Sequence, residues 1–446
     1  MSNYVGDIII CTLILLSISL VYGSTQVIKS LLGSGEEILT SSSYYNWIVR
    51  LALNLLGYAT VLLPGYFIHK YVRHSKYLQR EGKRCVPRLV HACFLGSGES
   101  GLLDSTHYVL PPSYSSTQQS FSQELLLLLY CFFGLQISYL TWGYLQEKIM
   151  TQEYTDNDGN KSHFRDSQFL VFVNRILAFL MSGFYLMAQR HPSHTTPLYK
   201  YAFCSLSNVL SSWCQYEALK FVSFPTQVLA KASKIIPVMI MGKFISRNSY
   251  EYYEYVTAVI ISIGMTMFML GSSTNSKNDE VTTFSGVLLL AGYMVLDSFT
   301  SNWQNSLFTE YGMTSVQMMC AVNMFSCLLT ATSLVQQSTF AYSLTFMAKH
   351  PRFVMDCLLI SICSASGQLY IFYTISKFGA VTFVIIMTIR QSLAILLSCV
   401  IYQHPISTLG VLGIILVFLS VFLRIYCNNR LRSIKKRKAE VNSVKD

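Results

Sequence analysis

The chain has 446 residues, of which 52% are hydrophobic and only 12% charged, and its formal net charge is +11. Soluble domains carry about 25% charged residues, so this composition excludes an ordinary soluble enzyme and indicates an all-α polytopic membrane protein. The positive balance does not point to nucleic acid, because Lys and Arg gather in alternate loops, as membrane topology requires.

Spans close to the roughly 20 residues needed to cross hydrocarbon are predicted at 5–22, 44–68, 121–146, 166–188, 198–216 and 222–241, and again at 252–271, 283–301, 314–335, 352–374, 379–402 and 405–426. The first lacks a basic leader and a small-residue cleavage site, so it is expected to be a retained helix. A basic cluster, Lys70, Arg73, Lys76, Arg80, Lys83, Arg84 and Arg88, follows the second span, and a polar low-complexity stretch at 95–120 reads as a flexible linker. A second cluster, Arg430, Arg432, Lys435, Lys436, Arg437 and Lys438, ends the chain. Both clusters are expected to be cytosolic and solvated, with anionic lipid as a secondary contact. The ten spans between them form an even number, consistent with that placement. The polar run Gln152–Asp166 is then luminal, and it holds the glycosylation candidate Asn160-Lys161-Ser162.

The expected organisation is two N-terminal helices (1–68), a cytosolic linker (69–120), five-span repeats at 121–272 and 283–427, and a basic tail (428–446). An odd number of spans per repeat inserts the second upside down. Lys220-Phe221 precedes the span carrying Lys231 and Lys234, and Lys377-Phe378 precedes the one carrying Arg390, so the fourth and ninth core spans correspond. Inverted repeats are the architecture of secondary transporters, with the substrate near the midplane where the repeats meet.

The sequence has 12 cysteines, but those in spans lack metal-ligand spacing and read as small hydrophobes. With no HExxH, GxSxG or P-loop pattern, neither catalytic residue, metal nor cofactor is expected.

Arg175, Lys231, Lys234 and Arg390 lie inside apolar spans, and only Glu217 and Asp297 are comparably placed to balance them. Each such base costs about 2.5–3.5 kcal/mol at a helix centre, so the set implies an anionic visitor. The alternative for any single base is a buried ion pair with one of the two acids. Lys231 and Lys234, three residues apart, are expected on one helix face about one turn apart, and Arg390 followed by Gln391 offers a planar fork for phosphate or sulfate. Trp213, Tyr216, Tyr293, Tyr370 and Tyr373 supply ring surfaces for a nucleobase or for helix packing. Gln215, Asn302, Gln304, Gln317, Asn323 and Gln368 supply polar edges.

The run from Ser205 to Lys234 resembles the Golgi carriers of 3′-phosphoadenosine 5′-phosphosulfate (PAPS) in the nucleotide-sugar transporter family. So do Leu296–Gln304, Ser315–Met319, Ser361–Ser364, Gly367–Leu369, Ile386–Gln391 and Leu396–Cys399. The resemblance covers about 121–427; the Gly-Ala-Leu-Asn pattern of GDP-sugar carriers is missing. It implies the drug/metabolite-transporter fold, Golgi residence and delivery of PAPS from cytosol to lumen, with an adenine nucleotide as counter-substrate. The expected substrate ligands are Lys231, Lys234, Arg390, Gln391, Arg175, Gln215, Tyr216 and Tyr370. The C-terminal Ser443-Val-Lys-Asp446 carries neither a dilysine nor a KDEL signal. Two rival readings remain: a UDP-sugar carrier, and a membrane-embedded transferase using Asp297 and Glu217, for which no acid–base pair is evident.

Overall fold

The computed structural model describes residues 2–32, 46–75, 90, 93–94, 121–151, 153–155, 161–164, 166–188, 196–218, 221–222, 234–245, 247, 250–272, 284–337, 339–401 and 408–443. Helices dominate: α1 Ser2–Leu32, α2 Asn46–His74, α3 Phe121–Thr151, α4 Ser167–Ala188, α5 Tyr199–Ala218, α6 Ile235–Ile245, α7 Tyr252–Ser272, α8 Phe284–Tyr311, α9 Ser315–Gln336, α10 Thr339–Lys349, α11 Pro351–Ile401 and α12 Thr408–Ser443. Among the described residues seven helices are long and apolar enough to cross a membrane: α1 to α4, α8, α9 and α11. In hydrocarbon every backbone amide must be satisfied within its own segment, which is why these apolar stretches become helices. α5 is too polar to join the seven because it alternates Ser, Asn and Gln with apolar residues, and Ser205, Ser207 and Ser211 are buried.

The spans expected at 352–374 and 379–402 form one element with a break. Gly379 has φ +82° and ψ 167°, a conformation a side-chain-bearing residue adopts only under strain, so α11 departs from helical geometry there. A sharper surprise is the polar run expected as a plain loop. It contains strands β1 Glu153–Thr155 and β2 Lys161–His163, paired antiparallel with Tyr154 opposite Ser162. Asn160 lies outside the described residues. Tyr154 and Phe164 supply the reason: both are buried in an aromatic cluster with Phe169, Phe346 and Phe353. Short α10, also unforeseen, contributes Phe346 to it.

The chain divides into two compact units, Met1–Val209 with Leu307–Tyr373, and Leu210–Ser306 with Thr374–Asp446. In the first, α9 packs along α4, and α1 and α2 pack on each other and on α9. Thr314 and Gln317 start α9 with a reciprocal capping box, so the Gln317 amide serves the helix end. Asp166 caps α4, accepting from the Gln168 and Phe169 amides at 3.1 Å each and from Ser343 Oγ at 2.8 Å. Beside the hairpin, Lys148 Nζ lies 2.8 Å from Asp356 Oδ1, and Tyr154 Oη donates to Asp356 Oδ2 at 3.0 Å. Burial, together with that hydrogen bond and the carboxylate's charge, pushes the Tyr154 phenol up.

The N-terminal helices are docked by side chains. Asn54 Oδ1 accepts from Ser333 Oγ at 2.8 Å and from Gln337 Nε2 at 2.7 Å, and Gln336 Nε2 donates to Ser24 Oγ at 2.7 Å. Interhelical hydrogen bonds in membranes average about 0.6 kcal/mol, so Asn54→Leu should destabilise the detergent-solubilised protein by about 1 kcal/mol. Thermal melts and protease access to α1 read that loss; unchanged melting and protection would mean that apolar packing alone holds the pair.

In the second unit α7 packs on α12 and α6 on α7. Ser420 Oγ donates to Thr257 O at 2.9 Å, and Arg424 Nη2 lies 3.1 Å from Glu254 Oε1.

Candidate functional site

In the second unit, three elements bring together residues that the sequence singled out. Lys234 sits immediately before α6, where its carbonyl accepts the Val238 amide at 3.1 Å. Its ammonium therefore projects beside the positive end of a helix dipole, a setting that favours an anion. The expected continuous helix at 222–241 is thus only partly described: α6 begins at Ile235, and Lys231 lies outside the described residues.

Lys234 Nζ pairs with the Asp297 carboxylate of α8 and lies 6.0 Å from the centroid of Phe383 on α11. The pair is shielded, with side-chain exposures of 12% for Lys234 and 24% for Asp297. Tyr293 precedes Asp297 by one helical turn, so both occupy the same face of α8. Arg390 follows Phe383 by two turns on α11, and its charge lies within electrostatic reach of the buried Tyr293 hydroxyl. The result is a shielded Lys234–Asp297 ion pair beside the Phe383 ring, with Arg390 near Tyr293 one helical turn from Asp297.

α6 is held in place by Asn302, whose Nδ2 donates to Val238 O at 2.8 Å and to Ser298 O at 2.9 Å. Gly242 permits this approach, since a Cβ there would fall 2.7 Å from Asn302 Oδ1. The amide nitrogen of Asn302 is thus spent on helix packing. Gln215 lies on the part of α5 in this unit and Glu217 is buried beside it, 7% exposed. The backbones of Tyr216 and Gln391 are helical, while their side chains lie outside the description.

In the first unit Arg175 of α4 has a different setting. Its Nη2 donates to Asn208 Oδ1 on α5 at 2.7 Å and its Nη1 to Asn323 Oδ1 on α9 at 3.4 Å. Asn323 Nδ2 in turn donates to Gln368 Oε1 on α11 at 2.8 Å. Tyr370 is held elsewhere in that unit, with its hydroxyl donating to Tyr130 Oη at 3.2 Å on an exposed flank of α3 and α11. The sequence listed Asn323 and Gln368 only as polar edges and passed over Asn208. Its one available signal was the polar run Ser205–Asn208 inside an otherwise apolar chain. The pairs Lys148–Asp356, Lys200–Glu310 and Arg424–Glu254 were also passed over, since each closes only when distant segments meet.

Comparison with known proteins adds a second line. The sequence profile described as the UAA transporter family matches residues 127–428. The protein named adenosine 3′-phospho 5′-phosphosulfate transporter 1 of Drosophila melanogaster is 49% identical over 454 residues, covering 99% of this chain and 97% of its own. The Homo sapiens protein of that name is 50% identical over 400 residues, 89% of this chain and 91% of its own. UDP-galactose/UDP-glucose transporter 5B of Arabidopsis thaliana is 38% identical over 306 residues, 67% of this chain and 88% of its own. The likeness to the Drosophila protein extends well past 121–427 and takes in both N-terminal helices and the basic tail.

Proposed function

Because the chain belongs to the UAA transporter family, we propose that it is a secondary carrier moving PAPS from the cytosol into the Golgi lumen, in exchange for an adenine nucleotide. The observation that carries this reading is near-half identity, over almost the whole chain, to proteins named as transporters of that compound. The likeness to a UDP-sugar carrier is weaker and shorter.

The chemistry of the site supports it. PAPS presents a phosphosulfate and a separate phosphate, and both want full positive charge and planar donors. Lys234, with Lys231, takes a phosphate as a point charge, and Arg390 offers a bidentate fork with Gln391 beside it. Gln215 and Tyr216, on the part of α5 in the same unit, are assigned to the base. In a carrier these groups need no acid–base partner, since the donor passes through unconsumed. Asp297 balances Lys234 when the site is empty and releases it to the anion on loading. The bases of the C-terminal tail support a cytosolic placement by the positive-inside rule.

Uptake of 35S-labelled PAPS into liposomes holding the purified full chain tests the proposal, with unlabelled UDP-galactose and GDP-mannose as competitors and adenosine monophosphate loaded inside. Saturable uptake, stimulated by the internal nucleotide and indifferent to the sugars, is the expected result. Entry of labelled UDP-galactose while PAPS stays outside would replace the substrate and leave the family assignment intact.

A further inference from the structure

Arginine only donates hydrogen bonds, so each asparagine beside Arg175 must turn its single oxygen toward the guanidinium. That requirement fixes Asn323 completely. With its oxygen on Arg175 Nη1, its NH2 group must find acceptors in a fully buried position, and it finds Met319 O and Gln368 Oε1, each at 2.8 Å. Gln368 is buried as well and points its own Nε2 toward Ser364 Oγ at 3.4 Å. Donors therefore run one way from α4 through α9 to α11, while Asn208 holds the other terminal nitrogen from α5 at 2.7 Å. The two amide oxygens orient the guanidinium through hydrogen bonds and bring no full charge of their own. A guanidinium held at one terminal nitrogen by the buried Asn323 and at the other by the half-buried Asn208 keeps one plane and one direction.

We propose that Asn208, Asn323 and Gln368 are positioning residues for transport, an amide relay that presents the Arg175 guanidinium to an anionic oxygen of the carried nucleotide. The inference rests on the PAPS reading for the identity of the anion, and on the hydrogen-bond chain for the relay itself.

The test is a thermodynamic cycle on the full-length protein in liposomes, with initial uptake rates measured against 35S-labelled PAPS concentration. Arg175→Ala and Asn323→Ala should each raise KM about tenfold, the scale of a hydrogen bond to a charged group, with Vmax within about twofold of the parent. In the Arg175→Ala background, Asn323→Ala should move KM less than about twofold, because there is no longer a guanidinium to aim. Gln368→Leu, one bond further from Arg175, should show the same dependence, and it supplies the readout if Asn323→Ala does not accumulate. If Arg175→Ala leaves no measurable uptake, a KM rise at steady Vmax for Asn208→Ala and Gln368→Leu decides in its place. Equal KM effects with and without Arg175, a fall in Vmax at unchanged KM, or wild-type KM for Arg175→Ala would each overturn the relay. If the unaltered protein rejects PAPS and carries UDP-galactose, the substrate reading fails, and the same cycle run with labelled UDP-galactose still decides whether the relay operates.

Discussion

Lys234→Ala should abolish PAPS uptake even when uptake is normalised to the amount of protein in the membrane. Two losses combine. A charge-assisted contact to the substrate is worth about 1.5–3 kcal/mol, or roughly ten- to hundredfold in transport efficiency. The substitution also strips Asp297 of its ion-pair partner and leaves a carboxylate facing an anionic substrate. At a few ångströms and an effective dielectric near 20, such a repulsion costs about 4 kcal/mol before relaxation. The double variant Lys234→Ala/Asp297→Ala separates the roles, because it restores charge balance without restoring the ammonium. It should accumulate and remain inactive in the 35S uptake assay. Recovery of uptake by the double variant would show that Lys234 serves only to neutralise Asp297, and would remove it from the binding set.

Asp297→Asn breaks the same pair but should act in the opposite direction on binding. Removing one partner of a shielded ion pair takes the carboxylate from the ammonium, at a cost of about 3–5 kcal/mol for full burial and about 3 kcal/mol with the residual exposure of this pair. Thermal melts in detergent should register that loss in the absence of substrate. PAPS should then restore more stability to Asp297→Asn than to the unaltered protein, since the anion supplies the charge that the carboxylate gave. Ligand bound only to the folded state at a hundred times its Kd adds about 2.7 kcal/mol, enough to return most of the deficit. An equal PAPS-induced shift in both proteins would mean that the anion does not meet Lys234.

These two experiments turn on a pairing that the sequence framed but did not decide. Counting bases against acids within spans identified Lys234, Asp297 and a small menu of partners. It could not say that Asp297 meets Lys234, nor that Arg175 ends on Asn208 and Asn323. In a soluble helix, hydrophobic periodicity reveals which face looks inward. In a bilayer the lipid-facing and protein-facing sides are both apolar, so periodicity carries little directional information and partner choice is invisible along the chain. The exposed leucines along α1, α3 and α4 are as apolar as the buried Leu329 and Leu334 on α9.

The sequence by itself determined that this chain lives in a membrane, where the seven long apolar helices of the described residues fall and which bases are costly enough to need a purpose. All of that follows from local hydropathy and from the penalty on charge in hydrocarbon. It also carried the family resemblance, in the long run from Ser205 to Lys234. Only the tertiary structure decided that the polar run before α4 folds as a hairpin under aromatic cover, that α1 and α2 are docked on α9 through Asn54 and Ser24, and that Arg175 is steered by amides while Lys234 is balanced by a carboxylate. Each of those depends on contacts between residues far apart in the chain, and their geometry exists only once the helices have chosen their neighbours.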